Sequence, residues 1–105
     1  MSKIEANKGV VTQINIFTVK PENVQPLIDL LIEAANSVKD IPGWLSANIH
    51  RSIDGTRVIN YAQCESYEAW DSVMEKLKAK NFLERNKQLG EAHPGLYEVV
   101  YTLEK

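Results

Sequence analysis

The chain has 105 residues, 44% apolar and 25% charged, with a net charge of −2 and a pI near 5.7. This length and balance describe one globular domain, residues 1–105, with one modest core, and lack the clustered Lys and Arg a nucleic-acid partner requires. The single cysteine rules out an internal disulfide and points to a reducing compartment. The N-terminal MSKIEANKGV has no apolar signal core, and no apolar run approaches the roughly 20 residues of a membrane span, so a soluble, cytoplasmic protein without a membrane partner is expected.

Residues 1–8 are polar and expected to fray. Residues 10–19, VVTQINIFTV, are rich in β-branched side chains and predict a first strand. Pro21 with Glu22 marks a helix start, and Val24, Leu27, Ile28, Leu31, Ala34, Ala35 and Val38 recur at helical spacing. Asp40-Ile41-Pro42-Gly43 ends that helix, and strands follow at 44–52 and 56–64, joined by an Asp54-Gly55 turn. Ser66 is the N-cap candidate of a second helix with Trp70, Val73, Met74 and Leu77 as its stripe. Residues 81–89 predict a short further helix stopped by Gly90, Pro94-Gly95 reads as a turn, and 96–103, LYEVVYTL, as the last strand. The order is βαββαβ, an α+β, ferredoxin-like antiparallel sheet with the helices on one face.

Alternation along the strands assigns faces. Leu45, Ala47 and Ile49 on the second strand, and Ile14 and Ile16 on the first, suit the helix-covered core. A two-residue Asp54-Gly55 loop sets Asn60 opposite Ile49. A three-residue loop pairs Asn48 with Asn60 and Trp44 with Cys64, and it groups like with like, so it is the register expected. On that register Ile59 and Tyr61 join the core. Val11, Gln13, Asn15, Phe17 and Val19, together with Trp44, Ser46, Asn48, His50, Val58, Asn60, Ala62 and Cys64, turn to the bare face. The last strand is apolar on both faces, so its facing is not readable. A bare face with Phe17, Trp44 and three valines calls for a cover, and a second copy packed sheet to sheet is the simplest one. Polar residues near the middle would then line a cavity between sheet and helices.

The segment GWLSANIHRSIDGTRVINYAQCES, after INIFTVKPE, resembles the antibiotic biosynthesis monooxygenase family. The SxxxHxSxDGxxVxNYxQ pattern from Ser46 to Gln63 carries the likeness. The resemblance implies a dimeric α/β barrel built from ferredoxin-like subunits. It also implies a cofactor-independent monooxygenase that acts with O₂ on a small aromatic phenol or quinol. Some members instead degrade haem, and others have no known substrate. In the quinone-forming members an Asn and a Trp four residues later line the cavity; Asn60 matches the first, but Cys64 stands where the Trp would be. A family Tyr falls at Trp70, and an Arg after the second helix corresponds to Arg85. In the haem-degrading members that Trp accompanies an Asn on the first strand, matched by Asn15, and a helix His, whose position falls near Asn86. The departures at Cys64 and Asn86 argue against haem degradation.

The residues support a catalytic reading with Asn60 and His50 as its centre. An imidazole titrates close to neutral pH and can take a phenolic proton. An amide can hold a developing phenolate or peroxide oxygen. Asn15, Phe17, Asn48, Cys64, Trp70 and Arg85 are the expected substrate contacts. Against this stand a hydrogen-bonded strand histidine, amides that satisfy one another, an inert buried thiol and an indole serving the core. No His pair at ligand spacing, glycine-rich phosphate loop or GxSxG elbow is present, so neither metal nor cofactor is expected. A non-catalytic module of the same fold, binding or sensing a small hydrophobic ligand, is the alternative.

Overall fold

The computed structural model describes residues 2–105. Strand β1 (Val11–Val19) runs into a 3-10 turn at Pro21–Asn23, then helix α1 (Val24–Val38). Pro21 presets the backbone at the start of the turn, and Pro26 sits in the first turn of α1, where its missing N–H removes no helical bond. Helix α1 buries Val24, Leu27, Leu30, Leu31, Ala34 and Val38 against the sheet and its neighbours, much as its periodicity predicts. The hairpin β2 (Trp44–Arg51) and β3 (Arg57–Cys64) follows, then α2 (Tyr67–Ala79), α3 (Phe82–Leu89) and β4 (Gly90–Tyr97). Ser66 caps α2 as expected, its Oγ accepting the Ala69 N–H at 3.1 Å. Asn81, in the left-handed conformation at φ 65°, breaks α2 from α3. The sheet order is β2-β3-β1-β4, with β3 and β4 both antiparallel to β1 and β2 antiparallel to β3. This is the ferredoxin-like arrangement read from the sequence.

The hairpin differs from expectation. Its loop is neither two nor three residues but four, 53–56. The Gly55 N–H donates to the Ser52 carbonyl at 3.0 Å and Ser52 N–H to the Arg57 carbonyl at 2.9 Å. Gly55 takes φ +74°, the left-handed step that returns the chain. The longer loop holds because side chains satisfy its backbone. Ser52 Oγ accepts from Thr56 and Arg57 N–H at 3.0 and 2.9 Å, and Asp54 Oδ1 accepts from Thr56 N–H and Oγ1 at 3.1 and 2.7 Å. Four residues have the parity of two, so Asn60 pairs with Ile49 and Asn48 with Tyr61. A bulge between Trp44 and Ser46 then restores the Trp44–Cys64 pair and turns Leu45 outward.

Parity reverses most of the predicted faces. Val11, Gln13, Asn15, Phe17 and Val19 face the helices, as do Val58, Asn60, Ala62 and Cys64 with Trp44, Ala47 and Ile49. Phe17, Val19, Val24, Leu27, Leu31 and Val58 form one buried cluster, and Val38, Cys64, Ala69 and Val73 another, packed by Trp44 and Trp70. Ile14, Ile16, Ile59 and Tyr61 lie instead on the open face, beside Ser46, Asn48 and His50. The reason is that β1 carries apolar residues on both faces, so hydrophobicity alone cannot choose. Residues 2–8, within the segment expected to fray, make hydrogen bonds with the rest of the chain: Ser2 Oγ donates to Asn48 Oδ1 at 3.1 Å, and Asn7 N–H donates to the Val99 carbonyl at 3.0 Å. Met1, part of the segment expected to fray, lies outside the described residues.

The last strand also shifts. It is GEAHPGLY, entered directly from α3, and not 96–103. Pro94 lies within it, opposite Asn15, because β4 is an edge strand and its outer side needs no donor. Val100, Tyr101 and Leu103 beyond it are exposed. Among the described residues no helix is long and apolar enough to cross a membrane, and no group of three His, Cys, Asp or Glu is disposed to hold a metal.

Candidate functional site: a pocket between sheet and helices

Four rungs of side chains rise from β1, β3 and β2 toward the helices. They are Val11–Cys64–Trp44, Gln13–Ala62–Ala47, Asn15–Asn60–Ile49 and Phe17–Val58–Arg51. The second rung is the low one: Ala62 and Ala47 stop at Cβ, and the space above them is unfilled. A cavity of about 40 Å³ results, roofed by Leu31, Ala34, Ala35 and Val38 of α1 and by Trp70, Val73 and Leu77 of α2. Trp44 closes one end, and Gln13 and Asn60 border it from the neighbouring strand and rung. The lining has no ionisable side chain; its hydrogen-bonding side chains are the amides of Gln13 and Asn60 and the two indole N–H groups.

The polar atoms here are short of partners. Asn60 Oδ1 and its cross-strand neighbour Asn15 Oδ1 are buried and accept no hydrogen bond. Asn86 Oδ1, on the inner side of α3 and 7% exposed, is in the same state. A buried amide oxygen without a donor costs on the order of 1–3 kcal/mol, so each such atom in a native fold is a place where a ligand or water belongs. On the other face Gln63 does find a partner, donating to Thr12 Oγ1 at 3.2 Å.

Of the residues picked from the sequence, Asn60 and Trp70 line the cavity, and Asn15 stands one strand from Asn60 on the same rung. Phe17 is 1% exposed in the core two residues along β1 from Asn15. Cys64 is 2% exposed beneath Trp44, Ala69 and Val73, and burial pushes its thiol up to about 11. His50 and Asn48 face the opposite side of the sheet, so neither can share a substrate with Asn60; the same parity that brings Asn60 inward sends them out. They border an open-face hollow with Ser2, Ile4, Tyr61 and Gln63. Arg85 lies on the outside of α3, 3.8 Å from Glu33 and over the Phe82 ring, away from the cavity. Missed from the sequence were the contributions of Gln13, Ala47 and Ala62. Two alanines in register on adjacent strands are the legible signal for a floor, once the register is known.

An α+β sheet with helices on one face and a small cavity between them, bordered by the unpaired Asn60 Oδ1, defines a ferredoxin-like protein. The family profile of antibiotic biosynthesis monooxygenases matches residues 10–85. The chain belongs to that family. It is 37% identical over 67 residues to tetracenomycin-F1 monooxygenase from Streptomyces glaucescens, a match spanning 63% of this chain and 60% of that protein. Among solved structures it resembles an Asn-to-Ala variant of SnoaB, a cofactor-independent oxygenase from Streptomyces nogalater. That likeness has TM-score 0.82 and 18% identity, covering 92% of this chain and 99% of the other. It also resembles the ActVA-Orf6 monooxygenase of Streptomyces coelicolor in complex with nanaomycin D, with TM-score 0.80 and 25% identity over 93% and 94% of the two chains.

Proposed function

We propose that this protein is a cofactor-independent monooxygenase that oxidises a small aromatic phenol or quinol with O₂ in the pocket over Ala62. The observation that carries the reading is the unpaired Asn60 Oδ1 in a largely apolar, indole-flanked cavity, in a chain of this family. The substrate hydroxyl donates to Asn60 Oδ1. With no titratable group in the lining, its proton leaves to water, and the amide presents its N–H to the oxyanion. The electron-rich ring carbon then bonds to O₂, the electrons coming from the substrate itself. Loss of water from the ring peroxide gives the quinone, so that one phenol and one O₂ become one quinone and one water. Trp44 and Trp70 hold the ring and keep bulk water out.

The open sheet face supports a homodimer as the working form. Ile14, Ile16, Ile59 and Tyr61 make an apolar surface with no helix over it, bordered on the Tyr61 side by Ser2 and Ile4, and a second copy placed sheet to sheet covers it. Binding must enlarge the pocket, since about 40 Å³ is far below the ~300 Å³ of ordinary ligand clefts. Helix α2 is the wall suited to move, as only Ala69 and Val73 of its residues are buried. The same small volume favours a second reading, a non-catalytic module that binds or senses a small ligand. Oxygen uptake with a panel of phenols and quinols separates the two. Turnover that falls at least 100-fold in Asn60→Leu, with the fold intact, supports the enzyme. Binding without uptake selects the module, and uptake unchanged by Asn60→Leu removes this pocket as its seat.

A further inference from the structure

We infer that Gln13 is a second anchor of the pocket, which together with Asn60 selects aromatic rings carrying two oxygen functions. The inference rests on the reading of this pocket as the substrate site. Ala62 is the floor: Gln13 is its direct neighbour on β1, and Asn60 lies one rung along β3 on the same face. The two amides therefore meet the volume over Ala62 from adjacent sides, one across the strands and one along them. Everything else at this level is apolar or indole, so a ligand seated there meets hydrogen-bonding side chains at two edges of its ring plane. A ring with one hydroxyl satisfies Asn60 and leaves the half-buried Gln13 amide, which also lines the cavity, without a partner on the ligand. A ring with two satisfies both. Two anchors also remove rotation about the first hydrogen bond, so Gln13 fixes which ring carbon is presented to O₂. It acts by positioning and not in proton transfer, since an amide does not titrate.

The two tryptophans of the chain both line the cavity, so their fluorescence reports ligand entry directly and without turnover. Wild type, Gln13→Leu and Asn60→Leu are titrated with phenol, catechol and hydroquinone. Gln13→Met is a second apolar replacement, and native far-UV circular dichroism is checked first for each. The expected result is that wild type binds at least one of the two diols about tenfold more tightly than phenol. In Gln13→Leu and Gln13→Met that preference collapses to within twofold, while phenol affinity holds. Asn60→Leu weakens all three ligands. A preference retained in both Gln13 variants overturns this inference and leaves the pocket reading standing. No quenching of wild type by any of the three overturns the pocket reading and this inference with it.

Discussion

Adjacent residues on β1 offer a direct test of the observed facing. Phe17 is 1% exposed and packs with Val19, Leu27, Leu31 and Val58, whereas Ile16 is 36% exposed on the open face. Removing the Phe17 ring leaves a void under α1 that its neighbours cannot fill, at a cost of about 3–5 kcal/mol. Ile16→Ala removes methyl groups from a surface with no layer over it within the chain, so no cavity forms and the cost is about 1 kcal/mol. With a urea slope of about 1.5 kcal/mol per molar for a chain of this length, Phe17→Ala lowers the midpoint by about 2 M or more. Ile16→Ala lowers it by less than about 1 M. The measurement is urea unfolding followed by tryptophan emission, at a protein concentration low enough that size-exclusion chromatography shows monomer. At high concentration the proposed dimer adds a second effect. Wild-type stability rises with concentration by mass action, and Ile16→Asp, which sets a charge in the seam, abolishes that rise while leaving the dilute midpoint nearly unchanged. Equal or reversed costs for the two alanine variants at low concentration would refute the facing, and with it the assignment of Asn60 to the interior.

Gly43, at φ +90°, has room for no side chain, because a Cβ there would stand 2.6 Å from that of Ala69. Gly43→Ala is expected to cost about 2–4 kcal/mol, to push α2 and Trp70 outward and to red-shift tryptophan emission. A double-mutant cycle with Ala69→Gly should recover the clash but not the strain of the positive φ, and additive effects would count against the contact. Asp54 is held near 2 by Thr56 and Ser52 hydroxyls, the Thr56 N–H and, least, Arg57. A carboxyl depressed in the folded state lends stability that is present above its ordinary value of 3.8 and lost as pH falls toward 2. Asp54→Asn should therefore flatten the stability profile across that window and leave the slope elsewhere as in wild type, as acid titration of the unfolding midpoint would reveal. Cys64, pushed up to about 11 by burial, should resist an aromatic disulfide reagent at pH 8 and react fully once urea unfolds the chain; rapid labelling of the folded protein would contradict its packing.

The element order was legible because local signals agreed with the final fold: the Pro21 start, the α1 stripe and the Ser66 cap work as written, and Asp54-Gly55 does mark the hairpin turn, though within a longer loop. The last strand was not legible, for a reason outside its own residues. LYEVVYTL has the stronger β propensity, yet α3 ends at Leu89 and delivers Gly90 beside Val19. Pairing then runs down β1 until Tyr97 meets Thr12, next to the residue at which β1 begins. Residues 98–103 arrive after β1 is used up. Position along the partner strand, and not propensity, decides which eight residues form the edge.

Facing was lost for a related reason, and it relocates the chemistry. On β1 both alternating sets are apolar, so the choice passes to the β2–β3 loop, and there a single residue of length inverts every side chain of one strand relative to the other. An odd loop puts His50 and Asn60 on one face and offers an acid–base pair. The even loop, held open by Ser52 and Asp54, separates them and leaves Asn60 in a pocket whose lining contains no ionisable side chain. If that pocket is the seat of oxidation, the substrate's own hydroxyl must supply the acidity. The pH dependence of the rate should then follow the phenol offered, moving to higher pH for less acidic phenols, and should be indifferent to His50→Gln in the intact dimer. On the proposed mechanism, the hairpin loop thus sets not only which residues touch the ligand but which partner, protein or solvent, receives its proton.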